Sequence, residues 1–550
     1  MTAQPTASFR QLTHRRRRPN PTAVLEETNV IHTELIVPVH ELLKRHKERN
    51  PDKAAFEDAR TSITYAELDA MTARLATHFQ RAGVQAGDRV AVVLPNSIEW
   101  VVTCLACVRA GAIAVPISHE ATSPEIEYRL DDARCTALVT SDARERELRE
   151  IGASVGSVNE YVTVSGSLQP VVGTPFAVAI ACDASSEPLD PDAIDDPAFA
   201  IYTSGTTGKP KGVLLSTHGM LWVAAACWAP IAGLTGSDRV LSALPLYHSY
   251  ALNFSVLSVL AVGATAYLME KYSSSEIPRL LSDGRFTVMP GVPTMFHYLL
   301  ESARANGRGS LPGLRLCVSA GAILPGTTNR EFENMFGLKL LDGYGITETS
   351  TMVTMNWPTG ARVFGSCGLP LPGVAARVVD PVALRDVRVG EEGELLVRGP
   401  NVMKGYLNKP TETDAALSSG WYRTGDLARF DANGYITITG RLKEVIIRGG
   451  QNISPAEIEE VVCEYDGVHD CAVVGMPHAH LGEVPVVFVV ERAEGAVDIA
   501  ALLAHCSLHL SAYKVPSAIH VTTEIPRTGS GKVMRFKLRE AVQPAEHGDV

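Results

Sequence analysis

Two kinds of apolar segment alternate along most of this chain, and the alternation restricts the fold more than any other feature. SITYAELDAMTARLATHFQRAG has the spacing of a strand end, a capping residue and an amphipathic helix, and SIEWVVTCLACVRAG has that of a second helix. Short continuous apolar runs, DRVAVVLPN and GAIAVPIS, follow these helices and predict buried strands. A second alternating run covers residues 239–345. The pattern predicts an α/β fold in which helices cover parallel sheets.

The sequence changes in character after about Gly365, where short apolar segments and turns replace the alternation. AARVVD, GELLVRG and WYRTGDLARFDANGYITITG predict a smaller β-rich subdomain. A compact α+β piece then begins near Arg441 to Lys443 and runs to the C-terminus. We therefore predict a large N-terminal domain over 37–442, made of two parallel-type sheets with helices and a β-rich subdomain. A small, mobile α+β domain is expected over 443–550.

Composition limits the kind of protein this can be. A chain of 550 residues is too long for one ordinary core, and its formal net charge of −11 gives no general attraction to nucleic acid. Ten cysteines without paired spacing indicate a reducing compartment, so we expect a cytoplasmic protein with no nucleic-acid partner. Residues 1–36 carry an arginine run and prolines but no apolar secretory segment, and they predict a disordered tail.

One uncharged run, Ala251 to Met269, is long enough to suggest a membrane span. Polar residues and Gly263 interrupt it, and no second run of this kind accompanies it. A buried helix that leads into a buried strand fits the pattern better, so we expect no membrane span.

The loop in AIYTSGTTGKPKGVLLSTHG combines glycines, hydroxyls and two lysines between apolar segments. Backbone N–H groups, hydroxyls and ammonium groups all suit phosphate oxygens. A Walker loop requires glycine six residues before its lysine and a serine or threonine after it, whereas this chain has Thr203 and Pro210 around Lys209. The loop therefore predicts phosphate binding of another kind.

Three further stretches carry candidate chemical groups. DGYGITETS offers Tyr344, an aromatic ring able to stack on a base, and Glu348, an oxygen donor for Mg²⁺. WYRTGDLARF presents Asp426 beside a glycine turn, where a carboxylate can accept hydrogen bonds from ribose hydroxyls. PRTGSGKVMR places Lys532 in a glycine-flanked loop from which its ammonium group can reach a distant site. Each stretch by itself is also compatible with an ordinary turn or surface residue.

Together these motifs, in this order and spacing, are typical of one group of enzymes. Over roughly residues 38–540 the chain resembles the adenylate-forming superfamily, and within it the acyl-CoA synthetases such as fatty-acid and coumarate ligases. The resemblance implies that ATP converts a carboxylic acid to an acyl adenylate with release of pyrophosphate. Coenzyme A would then take the acyl group as a thioester and release AMP. Because a free carboxylate is a poor electrophile, catalysis in such an enzyme consists mainly of positioning and charge neutralisation.

The resemblance also implies roles for individual residues. Catalytic roles fall on Lys532, which would bridge the carboxylate and the α-phosphate, and on His248 and Glu348. Thr203 and Glu348 would hold Mg²⁺, and Lys443 matches the hinge about which the small domain rotates between the two steps. The remaining nucleotide-binding positions are Ser204, Gly205, Thr206, Thr207, Gly208 and Lys209 for the phosphates, Gly321, Ala322 and Tyr344 around adenine, Asp426 and Arg441 for the ribose, and Asp342, Gly343, Gly345 and Thr347 without a more specific role.

The acid itself is less well defined by the sequence. LPLYHSYALNF resembles the acyl-pocket segment of coumarate and fatty-acid ligases, and it predicts that Tyr250, Phe254, Gly345 and Met352 line the substrate pocket. Phe254 and Met352 stand where coumarate ligases have smaller residues, which suggests a shortened or reshaped pocket. No acidic residue occurs between Leu244 and Glu270, so a free α-amino group on the substrate is disfavoured.

Several alternatives remain open at this level. One alternative acceptor for the adenylate is the phosphopantetheine of a carrier protein instead of coenzyme A. Related enzymes oxidise the adenylate, as luciferases do, or activate nitrite and form diazo groups on aromatic amines. The sequence distinguishes neither the acid nor the acceptor, and it does not define an oligomeric state.

Overall fold

The computed structural model describes residues 30–165, 173–181, 187–203, 209–307, 310–449, 451–478, 480–528 and 531–542. It confirms the predicted α/β class: a large N-terminal part contains two mostly parallel sheets with helices, and a smaller C-terminal part is α+β. Most of the predicted tail lies outside the described residues. At its described end, Thr33–Leu35 forms a 3-10 turn in which Leu35 is buried.

The first sheet has nine strands within the described ranges, and its central strands are parallel. Val288 pairs with Leu316, and Val318 pairs with Leu341, in parallel register. In spatial order its strands are Leu369–Pro370, Thr354–Met355, Lys339–Tyr344, Leu316–Ser319, Val288–Gly291, Arg239–Ser242, Thr265–Leu268, Ala54–Glu57 and Ser62–Thr64. Its central strands are apolar on both faces because helices cover both faces of a parallel sheet.

The second sheet has eight strands in the part of the chain that is described, and five of its pairings are parallel. In spatial order its strands are Gly405–Tyr406, Lys211–Ser216, Pro197–Thr203, Ile113–Pro116, Arg89–Val93, Ala137–Ser141, Glu160–Val164 and Thr174–Pro175. At the Gly405 edge, Gly405–Tyr406 pairs antiparallel with Lys211–Ser216, which in turn pairs antiparallel with Pro197–Thr203.

Two smaller antiparallel-rich sheets follow. The β-rich subdomain predicted after Gly365 is confirmed; its strands are Ala375–Val379, Gly393–Arg398, Trp421–Phe430, Leu417–Ser418 and Ile436–Arg441. The C-terminal sheet consists of Gln451–Ile453, Ile446–Arg448, Gly482–Glu491, Val468–His478 and Ala518–Val521. The turn between these sheets spans the predicted boundary at 442 and 443, whose role as a domain boundary stays a prediction.

Helices connect and cover the sheets. The α-helices are Val39–Arg49, Tyr65–Arg81, Ile98–Arg109, Ser123–Ala133, Glu145–Val155, Phe176–Ala179, Thr217–Val223, Ser249–Ala251, Val259–Val262, Glu276–Ser282, Pro293–Asn306, Gly326–Phe336, Pro410–Ala416, Pro455–Cys463, Ile499–His509 and Arg535–Val542. Ala224–Trp228 and Leu252–Ser258 are π-helical, and Thr347–Thr349 is a second 3-10 turn.

The sequence explains where the first long helices begin and which faces they bury. Thr64 closes a capping box: its N–H donates to the Glu67 carboxylate at 2.8 Å, and its hydroxyl accepts the Glu67 N–H at 3.2 Å. The helix that follows contacts the first sheet, and Ile98–Arg109 contacts the second. These two helices pack against each other and form a layer between the sheets.

The apolar run from Ala251 to Met269 folds as predicted. Helical turns continue to Val262, Gly263 ends them with a φ of +75°, and Thr265–Leu268 forms a buried strand. Among the described residues, no helix combines the length and apolar character needed to cross a membrane.

Asn96 joins the two large sheets next to a predicted site segment. It follows the strand Arg89–Val93, and its amide nitrogen donates to the carbonyls of Leu244 and Met269, both at 2.9 Å. Its amide oxygen accepts the N–H of Leu246 at 2.8 Å. Because this side chain is buried and all three bonds lead to the other sheet, Asn96 fixes the loop that carries His248.

We expect Asn96→Ala to lower the free energy of unfolding by about 2–4 kcal/mol, because it leaves three buried backbone groups without partners. Urea denaturation of the full chain measures this difference. Asn159→Ala removes an exposed amide and is the matched control, with an expected change below about 0.5 kcal/mol. Equal stability of the two variants would contradict the bridging role.

Candidate active site

The carboxyl ends of parallel strands bring the predicted site residues to one edge of the first sheet. Leu316–Ser319 leads to Gly321, Lys339–Tyr344 ends at Tyr344, and the loop after Arg239–Ser242 leads to His248. Open α/β sheets bind ligands at this edge, because loops and side chains converge there. Gly321 and Ala322 are exposed on it, and Gly321 has a φ of +87° that favours glycine.

A buried carboxylate holds together the predicted ribose-binding group. Asp426 lies in Trp421–Phe430, and its side chain accepts the Tyr344 hydroxyl at 2.5 Å. Arg441, at the end of Ile436–Arg441, places its Nε 3.0 Å from the other carboxylate oxygen. Burial raises the pKa of Asp426, while the Arg441 guanidinium lowers it. This contact joins the first sheet to the β-rich sheet.

The loop that carries Lys532 reaches this group from the C-terminal part. The Thr528 N–H donates to the Lys532 carbonyl at 2.8 Å, and Arg527 donates to the Gly531 carbonyl at 3.0 Å, so the two described flanks of the loop are held together. Burial and the nearby Arg441 lower the pKa of Lys532, whereas Glu444 and Asp426 raise it. Lys532 thus lies within the electrostatic range of the Asp426–Arg441 pair.

Glu348 lies close by, in the 3-10 turn Thr347–Thr349. Its carboxylate accepts the Tyr406 hydroxyl at 3.1 Å, and its backbone carbonyl accepts the Met403 N–H at 2.8 Å. Burial raises the pKa of this carboxyl group, and Asp426 adds to the effect. A buried carboxylate with a hydroxyl partner suits a hard cation better than an apolar ligand.

Tight packing explains the glycines of the GYG turn. A Cβ at Gly345 would clash with the carbonyl oxygen of Thr351, and one at Gly343 would clash with the Met352 side chain. Asp342, which precedes Gly343 in the strand Lys339–Tyr344, is buried, and burial raises the pKa of its carboxyl group well above the usual range. The turn therefore brings its backbone to the edge of the sheet, next to the Asp342 carboxyl group, which burial favours in its protonated form.

Aromatic rings fill the predicted acyl side. The Tyr250 hydroxyl donates to the Val318 carbonyl at 3.1 Å, and its ring stacks on Trp228 with centroids 6.1 Å apart. Phe254 meets Trp228 edge to face at 4.6 Å. Trp228, Phe254 and Met352 are all fully buried. Trp228, Tyr250 and Phe254 therefore form one buried aromatic cluster, and the pocket role of Tyr250, Phe254, Gly345 and Met352 stays a prediction.

His248 lies in the loop that follows the strand Arg239–Ser242. Its Nε2 is shielded from solvent and has no hydrogen-bond partner within the described ranges, and burial lowers its pKa to about 4. The neighbouring Ser249 hydroxyl lies 3.3 Å from that of Thr347. Burial therefore favours the neutral form of this histidine, and its catalytic role stays a prediction.

The phosphate loop is described only at its ends. Thr203 ends a strand and pairs with Lys211, while Ser204, Gly205, Thr206, Thr207 and Gly208 lie outside the described residues. Lys209 is exposed, and its ammonium lies 5.1 Å from the Tyr128 ring centre. Lys443 occupies an exposed turn after Arg441.

Three residues near the site were missed by sequence reasoning. Tyr406 lies in NVMKGYLNK, where no neighbouring motif indicates that it binds Glu348. Trp228 lies in an apolar stretch, AAACWAP, that reads only as core. Glu444 follows the predicted hinge directly, so its charge beside Arg441 was a usable signal.

Comparison with known proteins gives a consistent assignment. The AMP-binding enzyme family model matches residues 43–407, and the model of the AMP-binding enzyme C-terminal domain matches residues 457–532, so the chain belongs to the AMP-binding enzyme family. A feruloyl-CoA synthase of an Amycolatopsis species is 35% identical, over 90% of this chain and 97% of its own. A long-chain-fatty-acid–CoA ligase of Bacillus subtilis is 31% identical, over 95% of this chain and 98% of its own.

A solved structure gives the same picture. The anthranilate CoA ligase AuaEII in complex with anthranoyl-AMP superposes with a TM-score of 0.85 at 27% identity, covering 92% of this chain and 98% of that one. The chain is therefore an AMP-forming acid–CoA ligase. It forms an acyl adenylate from ATP and a carboxylic acid, and then a thioester with coenzyme A, as the sequence predicted.

We expect Asp342→Asn to stabilise the protein at neutral and alkaline pH but not at acid pH. Because the pKa of Asp342 is raised on folding, the stability that its protonated form contributes is complete near pH 4 and is lost as the pH rises through the folded value. Asparagine avoids that loss, so the gain over the native chain should grow to about 1–3 kcal/mol at pH 8.

Urea denaturation at pH 4.5, 6 and 8 measures this trend. Asp283→Asn, which replaces an exposed carboxylate, is the control and should not reproduce the gain. A gain that is the same at every pH would show that the charge of Asp342 is not its cause.

Proposed function

We propose that the residues at the sheet edge perform adenylation in the roles predicted above. Asp426 and Arg441 would hold the ribose, Tyr344 would stack on adenine, and Lys532 would bridge the acid carboxylate and the α-phosphate. The observation that carries this proposal is the convergence of Lys532 on the Asp426–Arg441 pair. An ammonium group there neutralises the charge that develops as the carboxylate attacks phosphorus.

Glu348 and Thr203 fit the predicted Mg²⁺ site chemically. Both offer oxygen ligands, and a cation would neutralise the buried Glu348 carboxylate, which burial otherwise disfavours. Bound Mg²⁺ would supply charge neutralisation to the triphosphate. Two contacts hold Glu348 in position without the cation. The Tyr406 hydroxyl orients its carboxylate, and the Met403 N–H fixes the turn that carries it.

The second step requires the thiol of coenzyme A to reach the adenylate. We propose that the C-terminal part rotates about Lys443, withdraws Lys532 and presents the segment from Arg448 to the same cavity. The turn between the last strand of the β-rich sheet and Ile446–Arg448 is a suitable hinge, since Leu442 and Lys443 in it are exposed.

We place the reaction in the cytoplasm. All nine cysteines within the described ranges have free thiols, and most of them are buried. Free thiols of this number fit a reducing compartment, where ATP and coenzyme A are also supplied.

Lys532→Ala should lower the rate of adenylate formation by about 10²–10³-fold and leave thioester formation from a supplied acyl adenylate nearly unchanged. Pyrophosphate exchange measures the first step, and mass spectrometry of the CoA product measures the second. Lys537→Ala, on the following helix, is a matched control that should affect neither step. Equal loss of both steps in the Lys532 variant would contradict its assignment.

We further propose that the acid is compact and carries no second charge. Relatives are named for acids as different as feruloyl and long-chain fatty acids, so the names do not define the acid. We therefore infer the acid from the side chains of the predicted pocket. Here the buried indole of Trp228 contacts both Tyr250 and Phe254, and these rings occupy the acyl side. A single small ring or a short alkyl chain fits against such a wall, whereas a long chain requires the wall to open.

The polar groups of this wall are already engaged. The Trp228 N–H donates to the Asn253 amide oxygen at 2.7 Å, and the Tyr250 hydroxyl donates to Val318. Asp342 is the acidic group near Tyr250 among the described residues, and burial raises the pKa of its carboxyl group well above the usual range, so a second carboxylate or an ammonium on the acid would be left unpaired. Benzoate-sized or short aliphatic monocarboxylates are the best candidates.

Phe254→Ala should shift the preference toward longer acids. We expect the ratio of kcat/KM for ferulate to that for benzoate to rise at least about tenfold, because removal of the ring opens the wall. Phe254→Leu should give a smaller shift in the same direction and protects the test against loss of fold.

Phe286→Ala is the matched control, because Phe286 is equally buried in the separate core cluster behind the first sheet. It should cost a similar free energy of unfolding, about 3–5 kcal/mol, without a change in acid preference. A native enzyme that prefers long-chain acids would refute the compact-acid proposal while leaving the adenylation roles intact.

A further inference from the structure

Helix Pro293–Asn306 of the large part touches the C-terminal part at two places. Near its start, a Cβ on Gly531 would lie 3.3 Å from Val292, the residue that precedes the helix. Two turns further along, the Glu301 carboxylate lies 3.2 Å from Nη1 of Arg492 and 3.9 Å from Nδ1 of His469. The second contact is far from the reacting atoms but spans the interface between the two parts.

Glu301 is a carboxylate surrounded by basic groups. From its own helix, Arg304 lies 3.1 Å away and His297 lies 4.0 Å away. The His297 ring is 5.2 Å from that of His469, so the two imidazoles face each other across the interface. Without the carboxylate, Arg304 of the large part and Arg492 of the C-terminal part would lose the anionic group that both of them contact.

A short chain of contacts leads from this interface to Lys532. Asp470, the neighbour of His469, accepts two hydrogen bonds from Nη2 of Arg527, at 2.8 and 2.9 Å. Arg527 in turn donates to the Gly531 carbonyl and so holds the Lys532 loop. The strand that faces Glu301 is thus the strand that anchors the lysine loop.

We propose that Glu301 is a positioning residue for adenylation. It attracts Arg492 and His469 and thereby holds the C-terminal part in the orientation that places Lys532 beside Asp426. It contacts neither the nucleotide nor the acid. This inference rests on the proposed function, in that it assigns adenylation to Lys532 and a different orientation to the thioester step.

The size of the effect follows from the exposure of these groups. Arg492 and Glu301 are each about a third exposed, at 38% and 35%, so solvent weakens each pair. Pairs of this kind change an equilibrium about two- to fivefold. Two orientations that must interconvert in every turnover are close in free energy, so such a factor changes their populations measurably.

The test compares two isosteric variants in both half-reactions. Glu301→Gln should lower the single-turnover rate of adenylate formation about two- to fivefold and leave the rate from supplied acyl adenylate and coenzyme A equal or higher. The control is Glu331→Gln, because Glu331 also binds Arg304 and is similarly exposed but does not touch the C-terminal part. It should change neither rate.

A double-mutant cycle identifies the partner. If Glu301 acts through Arg492, Glu301→Gln and Arg492→Gln should each lower adenylation, and the double variant should be no slower than the slower single variant. Strictly multiplicative losses, an equal loss in both half-reactions or no loss would each overturn the proposal.

Hydrogen exchange gives a readout that does not depend on turnover. Glu301→Gln should speed amide exchange in helix 293–306 and in the segment 467–471, and Glu331→Gln should not. If Lys532→Ala leaves adenylation intact, the proposed function fails even when the exchange result holds. Unchanged exchange in the Glu301 variant refutes the positioning role alone.

Discussion

The buried carboxylate of Asp426 is the contact on which the arrangement of the site depends. It accepts the Tyr344 hydroxyl from the first sheet and pairs with Arg441, the last strand residue before the C-terminal part. A carboxylate in this position loses its hydration, and the two donors offset that cost only while both sheets keep their places. One side chain therefore couples the sheet edge, the β-rich subdomain and the segment that leads to Lys532.

Opposing charges also surround the ammonium group of Lys532. Lys532 lies near Arg441, which repels it, and near Glu444 and Asp426, which attract it. The lysine is thus held by a difference between opposing charges rather than by one strong pair. An arrangement of this kind lets a loop leave the site when the charge of the bound molecule changes, because no single deep contact has to break.

Much of the fold was predictable because it depends on local patterns. The Thr64 cap, the helix over 65–81 and the strand after Gly263 follow directly from residue spacing. The charged members of the site were predictable because motifs carry them. Trp228 and Tyr406 were not, since their partners, Asn253 and Glu348, are 25 and 58 residues away and only the folded chain brings them together.

The bond between Trp228 and Asn253 also limits how this enzyme can change. Asn253 lies in a π-helical turn, fully buried, and its amide nitrogen already serves the Met220 carbonyl at 2.8 Å. If the Trp228 indole were lost, the Asn253 amide oxygen would lose its nearest hydrogen-bond donor in an apolar interior. Evolution toward bulkier acids would therefore require substitutions of Trp228 and Asn253 together. A substitution of Trp228 alone would be selected against before any new substrate could enter.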